Sequence, residues 1–170
     1  MKSALVIGGG TQLGQRIVSK FTTISPIWKV YNIDKQINKQ AYENFLFDGN
    51  FNKILTAEMC RKIIRKYDCI INASSSYSKC ELKDDNVIQL LQRANDKDLN
   101  SSLMAALLAK KYLKENGLLV FMGSENRLKK THSNLIVDNI TKESVSYLTE
   151  LLLKNPNELP EKTKLITLLV

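Results

Sequence analysis

The sequence predicts an α/β chain built on a doubly wound parallel sheet, and three observations carry that expectation. Ala4-Leu5-Val6-Ile7 is an apolar run that leads straight into Gly8-Gly9-Gly10 and, four residues on, Gly14. Apolar runs of strand length then alternate with stretches of helical periodicity along the whole chain. Cys69-Ile70-Ile71 is apolar without alternation, as in a parallel sheet covered on both faces. A strand that ends in glycines at the mouth of a helix suits a dinucleotide pyrophosphate, because the chain turns sharply there. The helix N-terminus then meets the phosphates with no side chain between. The expected architecture is Rossmann-type, with about six strands, helices on both faces and one domain over 1–170.

Taken in order, Ser3 to Ile7 reads as the first strand and Gln12 to Phe21 as a helix with Leu13, Ile17 and Val18 on one side. Trp28 to Ile33 is the second strand, and Asp34 stands at its end, where a carboxylate could hold ribose hydroxyls. Phe45 to Phe47 is a short third strand that stops at the turn signal Asp48-Gly49. Asn50 to Lys66 has helical periodicity, and Asp68 to Ala73 is the fourth strand. After the polar loop Ser74 to Ser78, one helix is expected near Asp84 to Asp96. A longer one is expected from about Leu99 to Asn116, with Gly117 as its C-cap. Leu118 to Met122 is the fifth strand, Glu125 to Ser133 a loop, Leu135 to Lys154 a helix stopped by Asn155-Pro156-Asn157, and Leu165 to Val170 the sixth strand.

Composition narrows the function classes. No apolar run approaches the roughly 20 residues that cross a bilayer, and the start has neither a secretory nor an organellar leader pattern. The expectation is an intracellular protein, cytoplasmic by default, with mitochondria as the alternative. The net charge of +8 invites a nucleic-acid reading. The basic residues are scattered, however, with tight clusters only at Arg61 to Lys66 and Arg127 to Lys130, and no aromatics interleave with them. That pattern is a solvated basic surface. Cys60, Cys69 and Cys80, with the single His132, make no credible metal site, and Cys69 reads as a buried apolar residue.

Three segments carry a family resemblance: Leu5 to Gly14, Trp28 to Asp34, and Leu108 to Leu119. They resemble the short-chain dehydrogenase/reductase superfamily and, within it, dihydropteridine reductase. Asn72-Ala73 also resembles the Asn-Ala-Gly that ends the fourth strand in that superfamily, with Ser74 in place of the glycine. The resemblance implies an NAD(H) site formed by Gly8, Gly10, Gln12, Leu13, Gly14, Asp34, Asp48, Asn72, Ala73 and Lys142. It also implies hydride transfer assisted by a Tyr-x-x-x-Lys pair on the helix after the fifth strand. Residues four apart share a helix face, so the ammonium can lower the phenol's pKa.

Here Lys142 matches the lysine, but Asp138 stands where the tyrosine is expected, and no tyrosine occurs between Tyr112 and Tyr147. A free carboxyl titrates near 4 and a phenol near 10, so an ordinary aspartate holds no proton to donate at neutral pH. Ser124 lies where relatives carry a substrate-orienting serine, and Asn100 where they carry a structural asparagine; their bland readings are a turn residue and a helix cap. The relatives continue past the sixth strand with a substrate-covering segment. Against that pattern, a chain ending at Val170 is expected to lack a lid and to expose an apolar edge.

The sequence therefore predicts a non-catalytic structural or regulatory subunit that retains an NAD(H) site. Its partner, or second copy, would be held through the C-terminal helix and last strand. The alternatives are an NADH-dependent reductase of the dihydropteridine type and an RNA- or polyanion-binding module.

Overall fold

A computed structural model of the chain describes residues 1–23, 28–48, 65–123 and 135–169. Strands β1 (Ser3–Ile7), β2 (Lys29–Asp34), β3 (Glu43–Leu46), β4 (Tyr67–Asn72), β5 (Leu113–Gly123) and β6 (Lys164–Leu169) form one sheet in the order β3-β2-β1-β4-β5-β6. Every ladder is parallel. The order reverses beside β1, and the crevice between β1 and β4 is where open α/β sheets bind ligands.

Helices cover both faces because alternate strand residues bury on opposite sides. Ala4 and Val6 face α1 (Gln12–Thr23), where Val18, Leu13, Ile17 and Phe21 pack with Cys69, Ile71 and Val120. Leu5 and Ile7 face the other layer. That layer holds α2 (Val87–Asn95), a π-helical segment (Asp96–Asn100), α3 (Ser101–Tyr112) and α4 (Ile136–Lys154). Leu5, Ile33, Ile70, Leu108, Leu113, Leu119 and Phe121 are fully buried there. Each such side chain contributes about 1.5–3 kcal/mol of transfer free energy. No helix among the described residues is long and apolar enough to cross a membrane.

The doubly wound sheet expected from the sequence is present, and strand limits move by only one or two residues except at β5. Two helical expectations are corrected. The chain from Val87 to Tyr112 does not break between two helices: it runs through the π-helical turn, and Asp96 and Asn100 keep right-handed helical angles. Asn100 is therefore not an N-cap of a separate helix, and its side-chain amide donates to Asp96 Oδ1 at 2.8 Å. At the other end the helix stops at Tyr112 rather than Asn116, because Leu113 turns extended and pairs with Tyr67. The left-handed residue is Asn116, at φ 59°, and not Gly117. Gly117 serves close approach instead, since a Cβ there would lie 2.7 Å from the Lys114 carbonyl. The helix expected over Asn50 to Lys66 and the loop over Glu125 to Ser133 lie wholly or largely outside the described residues, as do Cys60, His132 and Val170.

Gly14 is the tightest point of the β1–α1 junction, where a Cβ would sit 2.1 Å from the Gly8 carbonyl oxygen. That atom is backbone and has no side-chain freedom to yield. Gly14→Ala is expected to lower the unfolding free energy by about 2 kcal/mol or more, read from urea denaturation midpoints.

Candidate functional site

The glycine loop is held from behind by asparagines. Gly8, at φ 80°, donates its amide to Ile33 O at 2.9 Å and packs against the Ser74 backbone. The buried Asn32 accepts from the Gly9 amide at 3.0 Å, while Asn38 Nδ2 donates to the Gly9 carbonyl at 2.8 Å. Asn44 joins the two by accepting from Asn32 Nδ2 at 2.8 Å and from the Asn38 amide at 2.9 Å. Thr11 then caps α1, its hydroxyl accepting from the Gly14 amide at 3.0 Å and donating to Gly8 O at 2.8 Å. The amides of Gln12 and Leu13, first in α1, take no backbone partner.

In front of the loop lies a cavity of about 500 Å³, lined by Gly8, Gly10, Asp34, Phe47, Ser74 and Ser75 among others. Asp34 Oδ2 accepts from the Gly10 amide at 2.8 Å, and its other oxygen from the Gln36 amide at 3.2 Å. Lys35, Arg93 and Lys97 also line the cavity, so cations stand beside the Asp34 carboxylate.

The floor beside β4 is organised by a residue that sequence reasoning missed. Asp98, buried in the π-helical turn, accepts four hydrogen bonds. On Oδ1 these come from Lys142 Nζ at 2.6 Å and the Ser76 amide at 2.8 Å. On Oδ2 they come from Thr141 Oγ1 at 2.8 Å and the Ser76 hydroxyl. Lys142 Nζ also donates to Ser75 Oγ at 2.6 Å. The side chains of Lys142 and Asp98 are only 7% and 0% exposed, so water contributes little to either. Below them Asn72 Nδ2 donates to Ser101 Oγ at 2.8 Å and Ser102 Oγ at 2.9 Å. Both serines donate back to π-turn carbonyls. Periodicity pointed to Asp98: Ala94, Asp98, Ser101, Ser102 and Ala105 share the inward face of one helical stretch.

Asp138 is 2% exposed, and its Oδ1 has no hydrogen-bond partner among the described residues. Burial pushes its carboxyl above the ordinary range. The Lys142 ammonium pulls it down, and the Asp98 charge pushes it up again. The sequence expected an ordinary carboxyl here; Asp98 answers the ammonium, and the net shift is upward. Cys69, buried in β4, has its thiol pushed up to about 12 by burial and by the Asp68 charge, which leaves it inert.

Of the residues expected to hold a nucleotide, Gly8, Gly10 and Asp34 line the cavity. Gly14 and Ala73 shape the β1–α1 and β4 ends from within the packing, and Asn72 orients Ser74, Ser101 and Ser102. Gln12 lines a shallow cleft with Arg16 and Ser19 instead, and neither Leu13 nor Asp48 is among the lining residues. Lys142 reaches the cavity only through Ser75. Ser124 lies outside the described residues. Among those residues no cluster of His, Cys, Asp and Glu could hold a metal ion.

No protein-family model matches the sequence, and no curated protein matches it. Solved structures do. A short-chain dehydrogenase family protein from Francisella tularensis superposes with a TM-score of 0.83 at 21% identity, covering 99% of this chain and 69% of its own. The chain has the short-chain dehydrogenase/reductase fold. A short-chain dehydrogenase/reductase from Serratia marcescens gives a TM-score of 0.80 at 15% identity over 99% of this chain and 73% of its own. BdcA in complex with NADPH gives 0.78 at 16% identity over 99% and 69%. Within this fold the cavity occupies the crevice where the strand order reverses.

Two outcomes follow from the buried groups. Removing one member of a buried ion pair costs about 3–5 kcal/mol, since the other charge is left unanswered. Asp98→Asn and Lys142→Met are each expected to destabilise by about that amount in urea unfolding, and the double variant by clearly less than their sum. For Asp138 the native state binds its proton more tightly than the unfolded chain does. Its contribution is therefore full below the unfolded carboxyl pKa of about 3.9 and is lost as pH rises towards the folded value. Asp138→Asn removes that loss, so the stability difference between variant and wild type should move in the variant's favour from pH 4 to pH 7.

Proposed function

We propose that this chain is a dinucleotide-binding, non-catalytic short-chain dehydrogenase/reductase, similar to dihydropteridine reductase, that serves as a structural or regulatory subunit of a larger assembly. One observation carries the reading: the lysine matched to the family's catalytic lysine is engaged by Asp98 and Ser75 inside the protein, and the position four before it is Asp138. An ammonium so held has no charge to lend to a reacting group.

The residues present fit a dinucleotide. The left-handed Gly8 has its space filled by the Ser74 backbone. A Cβ at Gly10 would lie 3.0 Å from an Asp34 oxygen, so a side chain there would crowd the ribose position. The two free amides at the start of α1 suit a pyrophosphate. When bound, NAD(H) supplies a hydride donor or acceptor. This chain's own residues bind and orient it, Asp34 at the adenosine ribose and the glycine loop at the phosphates.

Asp34 favours NAD(H) over NADP(H), because a 2′-phosphate would meet its carboxylate. The partner surface is the outer side of α4 and β6, where Tyr147, Leu153, Ile166, Leu168 and Leu169 are exposed among the described residues. The reading places the protein inside the cell. A second reading, an NADH-dependent reductase with Asp138 as its acid, is favoured by that carboxyl's raised pKa and unpartnered oxygen.

Titration calorimetry with both nucleotides tests the site, and NADH is expected to bind more tightly than NADPH. Equal or stronger NADPH binding would remove Asp34 from the ribose position. Steady-state NADH oxidation over a panel of carbonyl and quinonoid-pterin substrates tests the chemistry. A positioned proton donor contributes about 10²–10⁴-fold, so turnover is expected to be absent or lower than in an intact reductase by that order. Robust turnover that Asp138→Asn abolishes would establish the second reading instead.

A further inference from the structure

We propose that Ser75 is a ligand-binding residue, its hydroxyl serving the second ribose of a bound dinucleotide in place of the lysine that Asp98 has drawn inward. The proposal rests on the nucleotide-binding reading. It starts from a constraint on hydrogen atoms. An ammonium has donors only, so in the 2.6 Å contact between Lys142 Nζ and Ser75 Oγ the serine accepts. The serine's own proton is then directed elsewhere, and no acceptor among the described residues takes it. Ser75 is part-buried and lines the cavity.

Two further sets of contacts fix the position of that residue. The next residue, Ser76, is bound to Asp98 through both its amide and its hydroxyl. The preceding Ser74 amide donates to Asn72 Oδ1 at 3.1 Å. Ser75 is therefore held on both sides by a part-buried, hydrogen-bonded frame, and its hydroxyl is left with a proton to donate. Asp34 ends β2 and Ser75 follows β4, with β1 between them, so the two strands that carry them lie about 10 Å apart across two strand spacings. That span suits riboses on either side of a pyrophosphate, with Asp34 accepting from one and Ser75 donating to the other.

The test compares NADH with ADP, which carries the adenosine and diphosphate but no second ribose. Calorimetry is run on the whole chain, wild type and Ser75→Ala. Loss of one hydrogen bond predicts that the alanine variant binds NADH about fivefold more weakly while its ADP affinity is unchanged. Ser75→Thr, which keeps the hydroxyl, should retain most of the NADH affinity. Unchanged NADH affinity in Ser75→Ala overturns the assignment and leaves the nucleotide site standing, as does an equal fall for both ligands, which would make Ser75 a loop support. A wild-type chain that binds neither ligand overturns the nucleotide reading and this assignment together.

Discussion

A carboxylate and an ammonium buried together in the upper helical layer govern the arrangement at the carboxyl end of β4. Taking either charge out of water alone costs several kcal/mol, so the pair persists only because every lone pair on Asp98 is answered. That requirement reaches into three elements at once. It fixes the π-helical turn that carries Asp98, the first turns of α4 that carry Thr141 and Lys142, and the Ser74–Ser76 loop that borders the cavity. The π turn has a role here: it sets Asp98 at the level of the Ser76 amide, and Ser101 and Ser102 bond the carbonyls of Lys97 and Asp98. The polar cluster is thus a joint between sheet and helices.

The opposite wall of the cavity follows the same logic with neutral groups. Asn32, Asn38 and Asn44 satisfy one another while gripping both ends of the Gly9 peptide, so the glycine loop keeps its shape without a ligand. A loop already in its binding shape loses little conformational entropy when phosphates arrive. What remains for a ligand is narrow: the first amides of α1, the free lone pairs of Asp34 and the Ser75 hydroxyl. The three cations at the rim add long-range attraction for an anion and little selectivity, because each is exposed and screened by salt.

Much of this was legible in the sequence because it depends on local rules. The run from Ala4 to Gly14 announces strand, turn and helix, and Cys69-Ile70-Ile71 announces a strand covered on both sides. Asp34 could be placed at a strand end from spacing alone. Asp98 could not be weighted correctly, since an Asp-Lys-Asp run looks like a solvated helix surface until a lysine 44 residues away is seen to meet it. The helix end at Tyr112 was missed for a related reason. Ala109 to Lys114 has good helix propensity, but Leu113 gains a ladder partner in Tyr67 and full burial, and tertiary pairing overrides the local preference. Asn32 was passed over because one polar residue in a strand carries no sign of which backbone amide it will meet.

Asp98 and Asp138 are linked through Lys142, and that linkage bears on the proposed loss of the chemistry implied by a Tyr-x-x-x-Lys pair. In a Tyr-x-x-x-Lys pair the ammonium's field lowers the phenol's pKa, and the effect depends on the charge being unanswered nearby. Here a carboxylate stands 2.6 Å from the ammonium, so at the neighbouring position its field opposes that of Lys142. The Asp138 carboxyl shows the result: burial, with the pull of Lys142 opposed by Asp98, raises its pKa above the ordinary carboxyl value. A phenol at position 138 would meet the same opposed fields, with less lowering from the ammonium than an unpaired lysine would give. On the proposed non-catalytic reading the departure from the catalytic pattern has two parts, Asp138 at the position expected for the tyrosine and Asp98 against Lys142, and the second would persist if the first were reversed.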